Sequence, residues 1–225
     1  EWVKADIDEG KALSKAPLPA WVFDGRDGVH TAEGSWAPKL GKYVPVRNLP
    51  VYERQYFREN VLGSNAPSAA TAGKTLFEDA AIRLWTLDDE VVIASIKSKM
   101  HTISAEVTSG LTKGLELAEA GYKGLVIWSQ DGPFSAGADL QSMMPAFMQG
   151  GGKAIAPFEK QLQDFMLSLR YSNVPTVAAM HGLALGGGCE LAVHAAKRVA
   201  AMETYVGLVE VGVGLIPGGG GLAYQ

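Results

Sequence analysis

Three glycine-rich segments constrain this chain more than any other feature. They occupy residues 134–140, 181–190 and 210–221, and the last two contain runs of three and four consecutive glycines. Because glycine has no Cβ, such segments let the backbone approach a ligand or another backbone closely. In open α/β sheets, ligands bind outside the carboxyl ends of the strands. The segments therefore predict a ligand site at one edge of a sheet.

The stretches between these segments alternate between strand and helix signals. Two apolar runs on either side of the acidic residues 88–90 predict a β-hairpin, and later short apolar runs predict buried strands. Apolar residues at helical spacing predict two amphipathic helices. This alternation is typical of βαβ units in an α/β fold with a largely parallel sheet. The predicted strands are 81–87, 91–96, 124–128, 175–180 and 198–202, and the predicted helices are 104–120, 155–169 and 190–196.

Residues 1–75 differ in composition from the rest of the chain. They hold six of the eleven prolines and three of the five tryptophans, and they lack a clear hydrophobic period. Such a stretch is typical of a linker, and its aromatic residues suggest docking on a neighbouring surface. The sequence thus predicts an irregular linker or docking arm over residues 1–75 and a core over residues 76–225.

Composition excludes several classes of function. The net charge of −4 gives no basic surface for nucleic acid or an anionic membrane, and no apolar stretch is long enough to span a membrane. A single cysteine, Cys189, excludes an internal disulfide and fits a reducing, cytoplasmic location. Neither Cys189 nor the four histidines have the spacing of zinc ligands, so no metal site is predicted.

Two glutamates belong to the second and third glycine segments. The first turn of the helix predicted after Gly186 offers free N–H groups, and the Gly187 N–H could stabilise a developing oxyanion. Glu190 lies in that turn, and Glu210 follows twenty residues later. The short helix advances the chain by ~12 Å and the next strand recovers ~13–17 Å. The two carboxylates can therefore face each other, as a general acid/base pair around one water requires.

These segments resemble those of the crotonase superfamily, the enoyl-CoA hydratases and isomerases, in order and spacing over residues 78–225. The resemblance implies an acyl-CoA substrate, with coenzyme A as part of the substrate and no separate cofactor. It assigns an oxyanion hole to the N–H groups of Ala138 and Gly187. Because family hydratases place two glutamates around water, it implies that Glu190 and Glu210 hydrate trans-2-enoyl-CoA to 3-hydroxyacyl-CoA in fatty-acid β-oxidation. The implied substrate-binding positions are Met100, Ala136, Gly137, Asp139, Leu140 and Gly186.

The resemblance also implies features outside these residues. The arm is similar to the joint of bifunctional enzymes in which a 3-hydroxyacyl-CoA dehydrogenase precedes the hydratase, and NAD would serve only that dehydrogenase. Family members continue with several helices after the last glycine segment and form trimers. We therefore expect a core truncated at its C-terminus, a 225-residue chain with little activity by itself, and a homo-oligomer in the complete protein.

Simpler interpretations exist for the same residues. Glu190 could be a first-turn glutamate stabilised only by the helix dipole, and Glu210 could be a surface loop residue. Asp139 is more typical of a helix N-cap than of a catalyst, and Cys189 of a small buried hydrophobe. Three alternative functions remain open: an isomerase that needs one carboxylate, a non-catalytic acyl-CoA-binding fragment, and a nicotinamide-binding domain, against which Pro217 argues.

Overall fold

The computed structural model describes residues 2–10, 20, 23–26, 28–31, 33–45, 49–50, 54, 57 and 68–224. The chain divides into two compact units, Glu1–Ser68 and Ala69–Gln225. The boundary predicted after residue 75 stays a prediction, and residues 58–67 of the predicted arm lie outside the described residues. None of the helices in the described ranges has the length and apolar character of a membrane span.

The described residues of the first unit form one helix and a small antiparallel sheet. These elements are α1 (Trp2–Asp8), β1 (His30–Thr31), β2 (Gly34–Ala37) and β3 (Lys42–Val44). Trp36 on β2 packs edge-on against Tyr43 on β3, and the Arg26 guanidinium lies 3.4 Å from the centre of the Trp36 ring. The Tyr43 hydroxyl donates a hydrogen bond to the Gly28 carbonyl at 2.7 Å. An aromatic pair and a cation–π contact therefore support the described part of this small sheet.

The second unit is an α/β fold, as the sequence predicted. Its main sheet consists of β4 (Lys74–Glu78), β5 (Ile82–Thr86), β6 (Val92–Ile96), β7 (Leu125–Ile127), β8 (Thr176–Met180) and β10 (Lys197–Ala200). The spatial order is β10-β8-β7-β6-β5-β4. β5 and β6 form the predicted hairpin, β4 adds an antiparallel edge, and the strands from β6 to β10 are parallel.

Four helices accompany this sheet: α2 (Ala105–Gly121), α3 (Leu140–Gly150), α4 (Gly152–Arg170) and α5 (Gly187–His194). Ser104 caps α2 by accepting a hydrogen bond from the Val107 N–H at 3.3 Å. A Cβ at Gly110 would lie 2.3 Å from Ile82, so this glycine lets α2 approach β5 closely. The predicted helices are confirmed, whereas α3 was missed because Pro145 lies inside it and glycines end it.

The core lies between the sheet and the helices. Leu84 and Leu111 are completely buried, and Leu125, Leu169 and Leu191 are at most 1% exposed. These residues come from two strands and three helices, so one apolar core fixes the elements relative to each other. Two further strands, β9 (Leu183–Leu185) and β11 (Tyr205–Gly207), form a separate parallel pair beside the main sheet.

Candidate active site

Backbone hydrogen bonds bring the three glycine-rich segments side by side. The Ser135 N–H donates to the Leu183 carbonyl at 3.0 Å, and the Leu185 N–H donates to the Ser135 carbonyl at 3.0 Å. The Gly186 N–H then donates to the Gly207 carbonyl at 2.9 Å, three residues before Glu210. The first segment thus flanks β9 on one side and β11 flanks it on the other. This arrangement joins the segments at the carboxyl edge of β8, where the sequence predicted a site.

Two backbone N–H groups meet where the first and second segments touch. A Cβ at Gly187 would lie 3.4 Å from the Ala138 nitrogen, and a Cβ at Gly137 would lie 3.4 Å from the Gly187 nitrogen. Gly137 has φ 99° and its Cβ would stand 2.8 Å from the Leu185 carbonyl oxygen, so only glycine fits there. Within the described residues, neither the Ala138 nor the Gly187 N–H has a hydrogen-bond acceptor. Both donors are free for a ligand oxygen.

Glu190 is a buried carboxylate in the first turn of α5. It is 2% exposed, and its Oε1 accepts a hydrogen bond from the Gly221 N–H at 3.0 Å. Its Oε2 would lie 2.8 Å from a Cβ at Gly219, so the third glycine segment packs directly on this carboxylate. Burial raises the pKa of Glu190, and the nearby charges of Glu210 and Glu159 raise it further, while the hydrogen bonds from Gly221 and Gly219 act against the shift.

Glu210 begins a short 3₁₀ helix, Glu210–Val213. Its Oε1 lies 3.2 Å from the position that a Cβ on Gly186 would occupy, so the carboxylate faces the turn that leads into α5. Its Oε2 is buried and has no hydrogen-bond partner in the described part of the chain. A buried carboxylate oxygen without a donor is costly unless something hydrogen-bonds to it. The Glu210 carboxylate therefore lies against the turn before α5, and its charge is near enough to Glu190 to raise the pKa of that carboxyl group.

The carbonyl group of Glu190 is held by a residue one turn later. Nδ1 of His194 lies 2.7 Å from the Glu190 carbonyl oxygen, and the ring makes an edge-on contact with Tyr224. Burial lowers the pKa of His194, which favours the neutral imidazole donating from Nδ1. This contact stabilises the turn of α5 that carries Glu190.

The predicted substrate-binding positions surround the two N–H groups. The Met100 carbonyl accepts a hydrogen bond from the Ala136 N–H at 3.1 Å, and the Met100 side chain is 46% exposed. Asp139 is the N-cap of α3, as expected from the sequence, because its Oδ1 accepts from the Ser142 N–H at 3.2 Å. Leu140 opens α3 and is 41% exposed. The roles assigned to these residues stay predictions.

A third carboxylate, missed in the sequence, lies beside the pair. Glu159 on α4 is half-buried, and its Oε2 would lie 2.7 Å from a Cβ at Gly218. Four residues later, Gln163 donates from Nε2 to the Gly218 carbonyl at 2.7 Å. Burial raises the pKa of Glu159. The signal was present: Glu159 lies four residues after Ile155 and three before Leu162, on the stripe expected to face the core.

Ala138 and Glu159 line one cavity of about 240 Å³. It lies between the start of α2, the start of α3 and the middle of α4. Its walls are mostly apolar, as suits an acyl chain. The remaining lining residues are Ile103, Ser104, Ala105, Glu106, Thr108, Ser142, Met143, Phe158 and Leu162.

Comparison with known proteins decides the family. The family model described as enoyl-CoA hydratase/isomerase matches residues 90–225, which is more than half of the chain. The chain belongs to the enoyl-CoA hydratase/isomerase family. The crotonase resemblance predicted from the three segments is thereby confirmed.

Two curated relatives carry names of enzymes that act on acyl-CoA compounds. A probable 3-hydroxyacyl-CoA dehydrogenase of Bacillus subtilis (strain 168) is 40% identical over 144 residues, which are 64% of this chain and 18% of the relative. The human mitochondrial methylglutaconyl-CoA hydratase is 32% identical over 167 residues, 71% of this chain and 48% of the relative. The chain therefore spans less than half the length of either.

Solved structures agree on the fold. The crystal structure of an enoyl-CoA hydratase from Polaromonas sp. JS666 superposes with a TM-score of 0.57 at 27% identity. The superposition covers 62% of this chain and 55% of that one. The α/β fold predicted from the alternation of strands and helices is thus the crotonase fold.

Proposed function

We propose that the complete protein, through the groups that this chain supplies, hydrates trans-2-enoyl-CoA to 3-hydroxyacyl-CoA, as one step of fatty-acid β-oxidation. The observation that carries the proposal is a pair of interacting carboxylates at the start of α5, Glu190 in its first turn and Glu210 against the turn before it. The paired N–H groups of Ala138 and Gly187 lie at the same helix start. An isomerase needs only one carboxylate, so the second favours addition of water. Family membership supports the reaction class.

The two N–H groups polarise the substrate. A thioester carbonyl oxygen that accepts from both Ala138 and Gly187 gains negative charge as water adds at C3 of the enoyl group. Donors fixed by the backbone stabilise that charge without reorganising, and each such donor contributes about 10²–10³ in rate. The residues before the two donors, Gly137 and Gly186, have no side chain, so the thioester can approach both N–H groups.

The two carboxyl groups move the protons. Burial, together with the charge of Glu210, raises the pKa of Glu190, which favours the protonated form of the Glu190 carboxyl group. The ionised member accepts a proton from the attacking water, and the protonated member delivers a proton to C2. The unpartnered Oε2 of Glu210 offers that water an acceptor. Addition of water is redox-neutral, so the reaction needs no cofactor beyond the coenzyme A of the substrate.

The setting of the reaction is inferred from composition and surface features. We place the protein in the cytoplasm, since a single cysteine cannot form an internal disulfide and fits a reducing compartment. We propose a homo-oligomer, because apolar side chains near the C-terminal end, such as Val211, Ile216 and Leu222, are at least 70% exposed. The name of the Bacillus relative supports a dehydrogenase activity in the complete protein.

The proposal is tested with crotonyl-CoA, by loss of the enoyl thioester absorbance and by mass identification of 3-hydroxybutyryl-CoA. We expect Glu190→Gln and Glu210→Gln each to lower kcat by about 10²–10⁴-fold, the contribution of a positioned acid or base. The double variant should lose little more than either single variant, because both groups act on one water.

A charge-matched control is Glu116→Gln, which removes an exposed carboxylate of α2 and should keep wild-type activity. A glutamate variant with near wild-type kcat would remove that residue from the mechanism. Conversion of 3-enoyl-CoA to the 2-enoyl isomer without a hydrated product would contradict hydration and favour an isomerase.

A further inference from the structure

The cavity next to Ala138 has an acidic lining. It is mostly apolar, yet it contains Glu106 and Glu159 and, among the described residues that line it, no lysine or arginine. Ala138 lines the cavity, so under the proposed function an acyl-CoA whose thioester oxygen accepts from the Ala138 N–H can extend its acyl chain into it. Any charge on the acyl group therefore meets these two carboxylates.

The two carboxylates differ in how strongly their charge acts. Glu106 is exposed at the first turn of α2, where its Oε2 accepts from the Ser104 hydroxyl at 2.7 Å, and this bond lowers its pKa. Glu159 is half-buried and has no hydrogen-bond or ion-pair partner in the described part of the chain. Solvent screens a half-buried charge less than an exposed one. Burial raises the pKa of Glu159, so its charge is present only above that raised pKa; once ionised, Glu159 exerts the stronger field of the two inside the cavity.

The position of Glu159 depends on the third glycine segment. Its Oε2 lies where a side chain at residue 218 would stand, while the next glycine, Gly219, packs on the Glu190 carboxylate. Gln163 holds the same loop through the Gly218 carbonyl. One loop thus contacts both Glu159 and the proposed catalytic carboxylate, and Glu159 also lines the cavity next to Ala138.

We infer that Glu159 is a specificity-determining residue that makes the acyl cavity reject acyl groups ending in a carboxylate and accept uncharged ones. This inference rests on the proposed function and adds the substrate class to it. Like charges in a partly desolvated pocket repel each other. A carboxylate in the pocket therefore lowers the affinity for a substrate that carries a second carboxylate more than for an uncharged one.

The experiment compares crotonyl-CoA with glutaconyl-CoA, which carries an added terminal carboxylate. In the wild-type protein we expect kcat/KM to favour crotonyl-CoA, and Glu159→Gln to lower this preference by about ten-fold. Glu159→Asp, which keeps the charge, should retain a preference close to that of the wild type. Glu106→Gln should change the preference by about two-fold at most, because its charge is screened.

A control and a binding measurement keep this inference separate from the proposed function. Glu116→Gln removes the same charge about 15 Å along α2 from Glu106 and should leave the preference unchanged. Calorimetry with the saturated butyryl-CoA and glutaryl-CoA reports cavity selectivity without turnover. Absence of hydration by the wild type would reject the proposed function alone. A wild-type affinity ratio that Glu159→Gln leaves within two-fold, or that Glu116→Gln changes equally, would overturn the role of Glu159.

Discussion

The two proposed catalytic carboxylates stand on contrasting parts of the molecule. Helix α5, which carries Glu190, is buried along nearly its whole length. The segment that carries Glu210 is held by backbone bonds and exposes most of its apolar side chains, including Val213 at 65% and Ile216 at 80%. Core packing thus holds Glu190 in place, whereas the pairing of β9 with β11 positions Glu210. The contrast implies that the two halves respond differently to substitution.

The largest effect is expected at the junction of the two halves. Gly187→Val keeps the N–H of residue 187 but adds a branched side chain whose Cβ would lie 3.4 Å from the Ala138 nitrogen. The side chain would block a ligand oxygen from reaching the Ala138 N–H. We expect binding of a non-hydrolysable acyl-CoA analogue to fall by more than about 100-fold, since a ΔG loss of about 3 kcal/mol follows from a blocked polar contact. Circular dichroism should show retained secondary structure. Unimpaired binding would show that this segment does not line the site.

A pair of substitutions compares the buried helix α5 with the exposed segment that carries Glu210. Leu191 on α5 is completely buried, so Leu191→Ala should lower the free energy of unfolding by about 2–5 kcal/mol. Val211 is 79% exposed, and Val211→Ala should change that free energy by at most about 0.5 kcal/mol. Urea denaturation measures both. Equal losses would mean that the terminal segment is packed as firmly as the core.

The buried position of Glu190 predicts a cost in stability. Its folded pKa lies above the 4.5 of an unfolded glutamate, so the protein loses stability as pH rises from about 4.5 through the folded pKa. Glu190→Gln removes the ionisable group and should raise Tm relative to the wild type above that range. The gain should vanish in more acidic solution. The exposed Glu116→Gln is the control, and a pH-independent difference for Glu190→Gln would contradict the burial argument.

The smallest effect concerns the loop over the site. Gln163→Met removes the hydrogen bond to the Gly218 carbonyl and should cost about 0.5–1.5 kcal/mol of stability together with a several-fold drop in kcat. Gln161 on the same helix donates instead to the Ser109 hydroxyl at 2.8 Å. Gln161→Met should therefore cost similar stability while kcat stays unchanged. Equal kinetic effects would assign both glutamines a purely structural role.

Much of the fold could be predicted from local patterns. The hairpin of β5 and β6 and the helix capped by Ser104 follow from apolar spacing and from one cap residue. The convergence of Glu190 and Glu210 follows from helix and strand rise, because β10 runs parallel to β8 and returns the chain to the same edge. These features depend on neighbours in sequence or on simple geometry.

Features that depend on distant partners could not be predicted in this way. β9 lies inside a glycine-rich segment and is a strand only because residues 134–138 and β11 flank it. Phe158 fits the apolar stripe of α4 but is 41% exposed and lines the cavity. Glu159 lines the same cavity, and its environment depends on Gly218 of the third segment, which is distant in sequence.

The parallel pairing of β9 with β11 governs where the chain can change in length. Leu183 lies opposite Tyr205 and Leu185 opposite Gly207, so the registers of Gly186 and Glu210 are linked. A residue inserted after Gly207 would move the Glu210 carboxylate by about 3.3 Å, beyond the tolerance of a hydrogen bond. An insertion in the turn at 201–204 leaves that register intact. We therefore expect an added residue at 201–204 to leave the position of Glu210 unchanged, whereas one added after Gly207 displaces its carboxylate from the turn before α5.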